Sequence, residues 1–232
     1  DAAAIGAASF VLPVPMGSPE AYYGVFGKLR TPDGGTTETS STSDVTDLML
    51  PGTVIDGTWT ATSGSIYNAV QAVDGTYIQT GNNDRKHRFG NFGLLGGGGL
   101  PNPAASQSLA IDGIEVMVDD AYITGACADT WIEVHLRRRG SSDWSSPSPS
   151  TANDTADLNG SPRDFVIGSA TNTSAFGRPG GGSWRRSDFD DSGFEVRVNS
   201  RKGGTCAGVN LRLDQLRIRV HYTLTTSTFI PD

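Results

Sequence analysis

The stretch Leu-Arg-Leu-Asp-Gln-Leu-Arg-Ile-Arg-Val-His-Tyr-Thr at positions 211–223 decides the fold class of this protein. Apolar side chains recur at every second position, at Leu216, Ile218, Val220 and Tyr222. A period of two is typical of a half-buried β-strand, with its apolar face on a core and its polar face in water. Because the stretch has no proline and no glycine, both of its edges can pair. It is therefore predicted to be a central strand of a β-sandwich.

Other parts of the chain carry the same alternation, and each predicts a strand with one buried face. The clearest examples lie at 108–123, 130–138 and 194–199. Shorter strands are predicted at 76–80, 86–95 and 164–168. The sequence contains no convincing amphipathic helix. The pattern predicts an all-β protein built from antiparallel sheets.

Turn-forming residues separate these strands. The pair Asp56-Gly57 is typical of a hairpin turn. One turn of helix is predicted at 184–193. The segment 31–47 is polar and rich in Gly, Ser and Thr, so it is predicted to be a loop.

The chain of 232 residues is long enough for one large β domain with a core. We divide it into an extended N-terminal arm or edge strand at 1–30, a β-sandwich at 31–224 and a C-terminal tail at 225–232. A polar excursion, rich in Ser, Pro, Asp and Asn, interrupts the sandwich at about 139–162.

The formal net charge is −7 and the pI is about 4.9, which argues against a nucleic-acid binder. The charge is uneven: residues 1–130 hold 5 basic and 14 acidic side chains, and residues 131–232 hold 13 and 11. Such a split favours head-to-tail contact between copies, within the range that salt screening allows. No apolar run reaches the roughly 18 residues of a membrane helix, so no membrane span is predicted.

The first residues of the chain form an unusual segment, because no charge lies between Asp1 and Glu20. Pro13 and Pro15 exclude a helix and a central strand here, and leave an edge strand or an arm. Two interpretations stay open: the arm lies on its own domain, or it adds a strand to a neighbouring copy. In the second, the subunit contacts come from the apolar residues of the arm and tail, namely Ile5, Phe10, Val11, Leu12, Val14, Phe229 and Ile230.

Several features favour an oxidising, extracellular setting. Lysine is rare, Ser and Thr are abundant, and the chain has a single pair of cysteines. The sequence begins with Asp rather than Met, as it would if an N-terminal signal had been removed. Candidate glycosylation sites of the Asn-X-Ser/Thr type occur at Asn153, Asn159 and Asn172.

Five motifs then follow one another in an order that resembles a known module. They are Val73-Asp-Gly-Thr-Tyr77, Phe89-Gly-Asn-Phe-Gly-Leu94, Ile111-Asp-Gly-Ile-Glu-Val116, Trp184-x-x-x-Asp188-Phe189-x-x-x-x-Phe194-x-Val196 and Leu213-Asp-Gln-Leu-Arg-Ile-Arg-Val-His-Tyr222. Together they resemble a jelly-roll-like β-sandwich module of tailed-phage virion proteins and of bacterial secreted or surface proteins. The resemblance spans roughly residues 58–223. It implies a jelly-roll-like antiparallel β-sandwich with an extended N-terminal arm, and it implies no particular activity.

The two cysteines can be placed on that fold. Cys127 would lie at the tip between the strands at 114–118 and 130–136, and Cys206 at the tip between those at 194–198 and 211–222. Both tips would fall at one end of the sandwich, so a disulfide is predicted. The alternative is a pair of separate or buried thiols.

The chain offers no catalytic constellation. His87, His135 and His221 have no Ser, Cys or carboxylate at a recognisable spacing, and they are predicted to be surface histidines. The acidic clusters at 82–84 and 188–191 fit turn and cap chemistry better than a calcium loop. We therefore predict no enzyme activity, no cofactor and no metal site.

Tryptophan gives the sequence its clearest binding signal. Flat aromatic faces can stack on sugars, and Trp131 and Trp144 are candidates for this role. Trp131 is the stronger candidate, because the alternation of its strand points it away from the core. Packing in a core or an interface is the more ordinary use of tryptophan.

These observations predict a structural, self-assembling protein, a subunit of an extracellular filament, surface appendage or virion. Copies of the chain would contact one another through the N-terminal arm, by strand complementation. The alternative is a glycan- or receptor-binding module, such as part of an adhesin or phage tail fibre. The expected partners are further copies of the chain or a surface glycan, without nucleic acid.

Overall fold

The computed structural model describes residues 36–127, 130–146, 158, 160–202 and 208–230. In this part of the chain the regular structure is almost entirely β-strand, joined by short turns of 3-10 helix at Asn68–Val70, Thr173–Phe176 and Arg186–Phe189. The strands are β1 (Thr36–Val45), β2 (Thr53–Gly57), β3 (Thr60–Ala61), β4 (Ile78–Thr80), β5 (Lys86–Gly90), β6 (Gln107–Ile123), β7 (Thr130–Arg137), β8 (Arg163–Ser169), β9 (Glu195–Lys202), β10 (Leu211–Leu213) and β11 (Gln215–Ile230).

The strands form two antiparallel sheets that pack together as a sandwich. The larger sheet has the order β1-β11-β6-β10-β4-β3, and β8 pairs with β6. The smaller sheet has the order β2-β5-β9-β7. The predicted all-β sandwich is thereby confirmed.

The winding of the chain is that of a jelly roll. From β5 to β10 each connection crosses from one sheet to the other, β10 and β11 both lie in the larger sheet, and β1 lies beside β11, the last strand. Antiparallel strands wound in this way bring segments distant in sequence into register. β7 and β9, which together form one end of the smaller sheet, are an example.

The stretch at 211–223 contributes a central strand of the larger sheet, as predicted. β11 lies between β1 and β6, and its apolar residues are buried. Asp214 interrupts the stretch and separates β10 from β11. Its carboxylate is fully buried, and its Oδ2 accepts hydrogen bonds from the backbone N–H groups of Asp74 at 3.1 Å and Gly75 at 2.8 Å. Burial raises the pKa of this carboxyl.

One hydrophobic core lies between the two sheets. The larger sheet contributes inward-facing residues of β6 and β11, and the smaller sheet contributes those of β5, β7 and β9. The central members are Ile114, Val116, Val118, Leu216, Ile218, Val220, Phe89, Ile132, Val134, Leu136, Val196 and Val198. Removing these side chains from water is the main favourable contribution to folding.

An aromatic cluster extends this core beside the predicted helical turn, which is present as the 3-10 turn Arg186–Phe189. The rings of Trp184, Phe189 and Phe194 contact one another, with centroids 5.1–6.4 Å apart. The indole N–H of Trp184 donates to the carbonyl oxygen of Phe176 at 2.6 Å. Packing of large rings therefore fixes a segment that has little regular secondary structure.

The hairpin predicted at Asp56-Gly57 is wrong. β2 pairs with β5 in the smaller sheet, whereas β3 pairs with β4 in the larger sheet, so the chain changes sheets here. Trp59 explains the difference, because its side chain is buried and its Nε1 donates to the carbonyl oxygen of Arg85 at 2.8 Å. Burying this ring prevents a tight reversal.

The polar segment predicted as a loop at 31–47 contains β1, and the segment predicted as a tail at 225–232 contains the end of β11. The two strands are neighbours in the larger sheet, and their hydroxyls pair: Ser41 with Thr225 at 2.9 Å and Ser43 with Thr223 at 3.0 Å. β1 and the last residues of β11 lack apolar alternation because their side chains are largely exposed, so periodicity could not reveal them.

The chain divides into two units. The first holds residues 41–226 and includes the hydrophobic core. The second is formed from residues 1–40 and 227–232, of which the structure describes 36–40 and 227–230. Within the described ranges, no helix has the length and apolar character needed to cross a membrane.

Candidate functional site: the outer face of the smaller sheet

Alternation along β7 and β9 places a dense set of polar and aromatic side chains on the outer face of the smaller sheet. Because inward residues of the two strands are apolar, the residues between them must face outward. We call this set, together with Trp144, the tryptophan–arginine face. Its members are Arg88 on β5, Glu195, Arg197, Asn199 and Arg201 on β9, and Trp131, Glu133, His135 and Arg137 on β7.

Carboxylates and guanidinium groups on this face pair across the strands. Glu195, only 6% exposed, accepts from Arg88 Nη1 at 3.2 Å and also pairs with Arg137. Arg201 pairs with Glu133 at 2.8 Å. Cross-strand pairs of opposite charge stabilise a sheet and fix the position of each side chain.

The segment after β7 places Trp144 on this face. The backbone N–H of Ser145 donates to the carbonyl of Leu136 at 2.7 Å, and the N–H of Leu136 donates to Ser145 Oγ at 2.9 Å. The indole thereby lies over two guanidinium groups, with ring-centre distances of 4.1 Å to Arg197 Cζ and 5.3 Å to Arg137 Cζ. Such cation–π contacts contribute about 0.5–2 kcal/mol each.

Arg197 differs from the other arginines of this face. No hydrogen bond or ion pair joins its guanidinium to any residue that the structure describes, and its Nε is sealed from water without an acceptor. Burial lowers the pKa of Arg197, with further lowering by Arg201 and Arg88, although Asp84 and Glu133 act in the opposite direction. A half-buried cation without an acceptor is costly in the free protein.

Two neighbours of Arg197 also carry buried polar atoms without a hydrogen bond. Asn199, 1% exposed, donates through its Nδ2 to Glu133 at 3.1 Å, but its Oδ1 has no partner. His135 lies opposite Arg197 in the strand register, and its buried Nε2 lies 3.5 Å from Glu133 Oε2, too far for a good hydrogen bond. The face thus combines an aromatic ring, a cation and a buried amide with unused hydrogen-bonding capacity.

His87 and His135 are buried, which corrects the prediction of surface histidines. His87 is 3% exposed, faces inward from β5 and lies beside Phe89, with ring centroids 5.1 Å apart. His135 is 9% exposed and lies edge-on to Trp144 at 6.5 Å. Burial lowers the pKa of each histidine to about 4. Sequence periodicity missed His87 because the short strand β5 holds too few apolar residues to define its inner face.

A second concave surface lies on the larger sheet, between β1, β11 and the ends of β6 and β8. It encloses about 640 Å³ and includes Asp112, His221 and Thr223. Thr223 Oγ1 donates to Asp112 at 2.7 Å, and His221 Nε2 lies 2.8 Å from Glu115 Oε2. Because these polar groups already pair with one another, this groove is a weaker candidate than the tryptophan–arginine face.

The structure separates the four tryptophans into two pairs. Trp59 and Trp184 are core residues, each 3% exposed. Trp131 and Trp144, the predicted stacking residues, are both half-buried and belong to the same face of the smaller sheet. The indole N–H of Trp131 lies 3.4 Å from Glu133 Oε1.

The predicted subunit-contact residues fall in two groups. Phe229 is 48% exposed and Ile230 is 40% exposed, both near the end of β11. The arm residues lie outside the described residues, namely Ile5, Phe10, Val11, Leu12 and Val14.

Of the predicted disulfide partners, Cys127 is buried, at 4% exposed, and Cys206 lies outside the described residues. Among the glycosylation candidates, Asn153 and Asn159 also lie outside them. Asn172 is exposed, and its Oδ1 accepts from the backbone N–H of Ser174 at 2.7 Å at the start of a 3-10 turn.

Sequence reasoning missed Arg197 and the ion pairs made by the arginine run 137–139. Arg137 belongs to β7 and pairs with Glu195, and Arg139 pairs with Asp190 at 3.1 Å. Alternation in the sequence puts Arg197 on an outer face. That it has no carboxylate partner depends on the cross-strand register.

No group of three or more His, Cys, Asp or Glu side chains in the described part of the chain is arranged to hold a metal ion. No protein-family model matches the chain, and no curated protein matches it. The fold and the site therefore define this protein as a jelly-roll β-sandwich with a tryptophan- and arginine-lined outer face.

Proposed function

We propose that this protein is a non-enzymatic structural subunit that self-associates through its terminal segments, in an extracellular filament, surface appendage or virion. The end of β11 is the observation that carries this proposal. β11 lies between β1 and β6, but β6 pairs with it only as far as Thr226, whereas β11 continues to Ile230, with exposed apolar side chains at Phe229 and Ile230. Beyond Thr226 the edge of β11 on the β6 side has no strand partner among the described residues, and such an edge is a site at which another chain can pair.

Three features of the sequence support the same proposal. The segment 1–20 has no charge between its terminal acids, and residues 1–130 hold only 5 basic side chains against 14 acidic ones. The motifs resemble a module of phage virion and bacterial surface proteins. In an assembly, the uncharged arm would bind the adjacent subunit by adding a strand to its sheet.

Deleting residues 1–17 and replacing Phe229 and Ile230 by serine are expected to abolish self-association while the β-sandwich stays folded. Each change removes apolar surface that would be buried between copies. Sedimentation velocity over a hundredfold concentration range and electron microscopy measure the outcome. Val73→Ser is the matched control, because Val73 is 53% exposed and lies in the first unit. Assembly by both altered proteins at the wild-type concentration would contradict the proposal.

A second candidate function is glycan binding by the tryptophan–arginine face. The specific observation is that Trp131 and Trp144, and not the two core tryptophans, share this face. Half-buried indoles on a surface of fixed side chains offer a platform for the apolar face of a sugar ring.

Trp144→Ala is expected to weaken glycan binding at least about tenfold, a change of about 1.4 kcal/mol. Trp131→Ala is expected to weaken it as well, since it removes the second indole of the face. Binding is measured on a glycan array and then by calorimetry with the best glycan. Tyr67→Ala, at a residue that is 41% exposed and lies off this face, serves as the control. Glycan binding that survives both tryptophan changes would exclude this face.

We further propose that Cys127 and Cys206 form a disulfide, which would suit an extracellular protein. Cys127 is buried, and the described residues include no free cysteine. Titration of the unfolded, non-reduced protein with a thiol reagent is expected to detect no thiol, and the reduced protein is the control with two. Two thiols before reduction would disprove the bond.

A further inference from the structure

Among the described residues, the charges on the outer surface of the smaller sheet leave one cation unpaired. The four carboxylates described on this surface are all paired: Asp56 with Arg88, Asp84 with Lys86 and Arg201, Glu133 with Arg201, and Glu195 with Arg88 and Arg137. Arg197 is the fifth cation of this surface and takes part in none of these pairs. An added anion could therefore pair with Arg197 without displacing a carboxylate of the protein.

The donors of Arg197 can be reached from outside. Its Nε is sealed from water, but its Nη atoms are not among the sealed atoms and make no hydrogen bond to a described residue. Stacking on Trp144 covers the flat face of the guanidinium and leaves its N–H edge for an acceptor. A planar fork of two N–H groups matches a carboxylate, which can accept both hydrogen bonds at once.

The indole N–H of Trp144 is a second hydrogen-bond donor on this face, in addition to the Nη atoms of Arg197. This N–H makes no hydrogen bond to a described residue and is not sealed from water. The ligand that fits is an anion attached to a body with hydroxyl groups and an apolar face.

We propose that the tryptophan–arginine face binds an acidic sugar, a uronic or sialic acid residue, with its carboxylate on Arg197 and its ring beside Trp144. This inference rests on the second function proposed above and specifies its ligand class. The one unpaired cation suits a single carboxylate, whereas a polyanion such as nucleic acid would need a run of unpaired cations. The indoles favour a sugar over an acidic peptide, because flat aromatic rings stack on the apolar face of a sugar ring.

The experiment compares sugars that differ only in charge. Calorimetry and array binding use α2,3-sialyllactose against lactose, and trigalacturonic acid against its methyl ester, with a hexaglutamate peptide as the other acidic probe. We expect the acids to bind at least tenfold more tightly than their neutral counterparts, and Arg197→Gln to remove that preference. Arg139→Gln, which removes one charge from an exposed arginine off this face, should leave the preference intact.

Thermal unfolding accompanies each titration. Arg197→Gln is expected to lower the Tm no more than Trp144→Ala does, because it removes the stacking on Trp144 but also a half-buried cation that has no acceptor. A fall in Tm several degrees larger than that of Trp144→Ala would show that Arg197 has a further structural partner, and would overturn the proposal without reference to any ligand.

Other results also overturn it and separate it from the function on which it rests. If acid and ester bind equally, or if Arg197→Gln leaves the preference for acids unchanged, the proposal of an acidic ligand is rejected. Glycan binding by the tryptophans would still stand. If hexaglutamate binds more tightly than either acidic sugar, the ligand of this face is an acidic peptide and not a sugar. Absence of binding by every probe at millimolar concentration rejects both glycan binding and its acidic ligand.

Discussion

Between pH 7 and pH 4 the two buried histidines are expected to lower the free energy of unfolding by about 6 kcal/mol. His87 and His135 both have a pKa lowered to about 4, because burial disfavours the protonated ring. The nearby positive charge of Arg197 lowers the pKa of His135 further. A displacement of about 2.5 pKa units corresponds to about 3 kcal/mol for each histidine.

The sign follows from which state binds the proton. Above pH 6.5 both histidines are neutral in the folded and the unfolded chain, so neither contributes a pH dependence. As the pH falls from 6.5 toward 4, the unfolded chain takes up protons that the folded chain does not, and stability is lost. Carboxylates whose pKa is lowered, such as Glu115 and Glu133, add to this loss only below their ordinary value near 4.5.

His87→Leu tests this assignment. Neither ring nitrogen of His87 has a hydrogen-bond partner, so an apolar side chain of similar size should keep or increase stability at pH 7. It should also remove about half of the loss between pH 6.5 and pH 4.5. Urea unfolding at half-unit intervals of pH gives both quantities.

Phe89→Leu, next to His87 on the inner face of β5, is the control, since it should lower stability equally at every pH. A stability that stays constant from pH 7 to pH 4.5 in the wild-type protein would show that both histidines titrate normally.

Asp188→Ala is expected to lower the free energy of unfolding by about 3–5 kcal/mol. Asp188 is 3% exposed and pairs with Arg178 through two contacts, Nε to Oδ2 at 2.7 Å and Nη2 to Oδ1 at 3.0 Å. It also accepts from the backbone N–H of Arg185 at 2.8 Å. Removing the carboxylate leaves the largely buried guanidinium of Arg178 without its partner, which is the costly part of the change.

Urea unfolding of two further proteins separates the causes of that loss. Arg178→Met in the Asp188→Leu background removes both charges and should recover part of the stability, because no buried charge is left unpaired. Asp143→Ala, at an exposed residue, should stay within about 0.5 kcal/mol of wild type. A loss below 1 kcal/mol for Asp188→Ala would mean that the pair contributes little to the fold.

How far the sequence predicts this protein is clearest at the long strands. β6, β7 and the buried half of β11 follow from alternation, because one face of each is on the core and the other is in water. The same rule missed β1 and the last residues of β11, whose side chains are exposed on both faces. It also misread Asp56-Gly57, where burial of Trp59 overrides the local turn signal.

The candidate site shows the same division. Periodicity placed Trp131 on an outer face, and Trp144 was a candidate because of its flat aromatic ring. Neither observation predicted that the two residues share one surface. That arrangement depends on the hydrogen bonds between Ser145 and Leu136, which bring the chain after β7 back along its edge. Arg197 could not be singled out from the sequence, because nothing local distinguishes it from the other arginines among the 15 in the chain.

The sequence by itself determined the all-β class, the central strand at 211–223 and the residues of the core, because alternation records which side chains leave water. Only the tertiary structure decided which strands pair, where the buried histidines lie and which cation has no carboxylate. These properties depend on contacts between residues more than 50 positions apart, such as Arg137 with Glu195, and local pattern carries no record of such register.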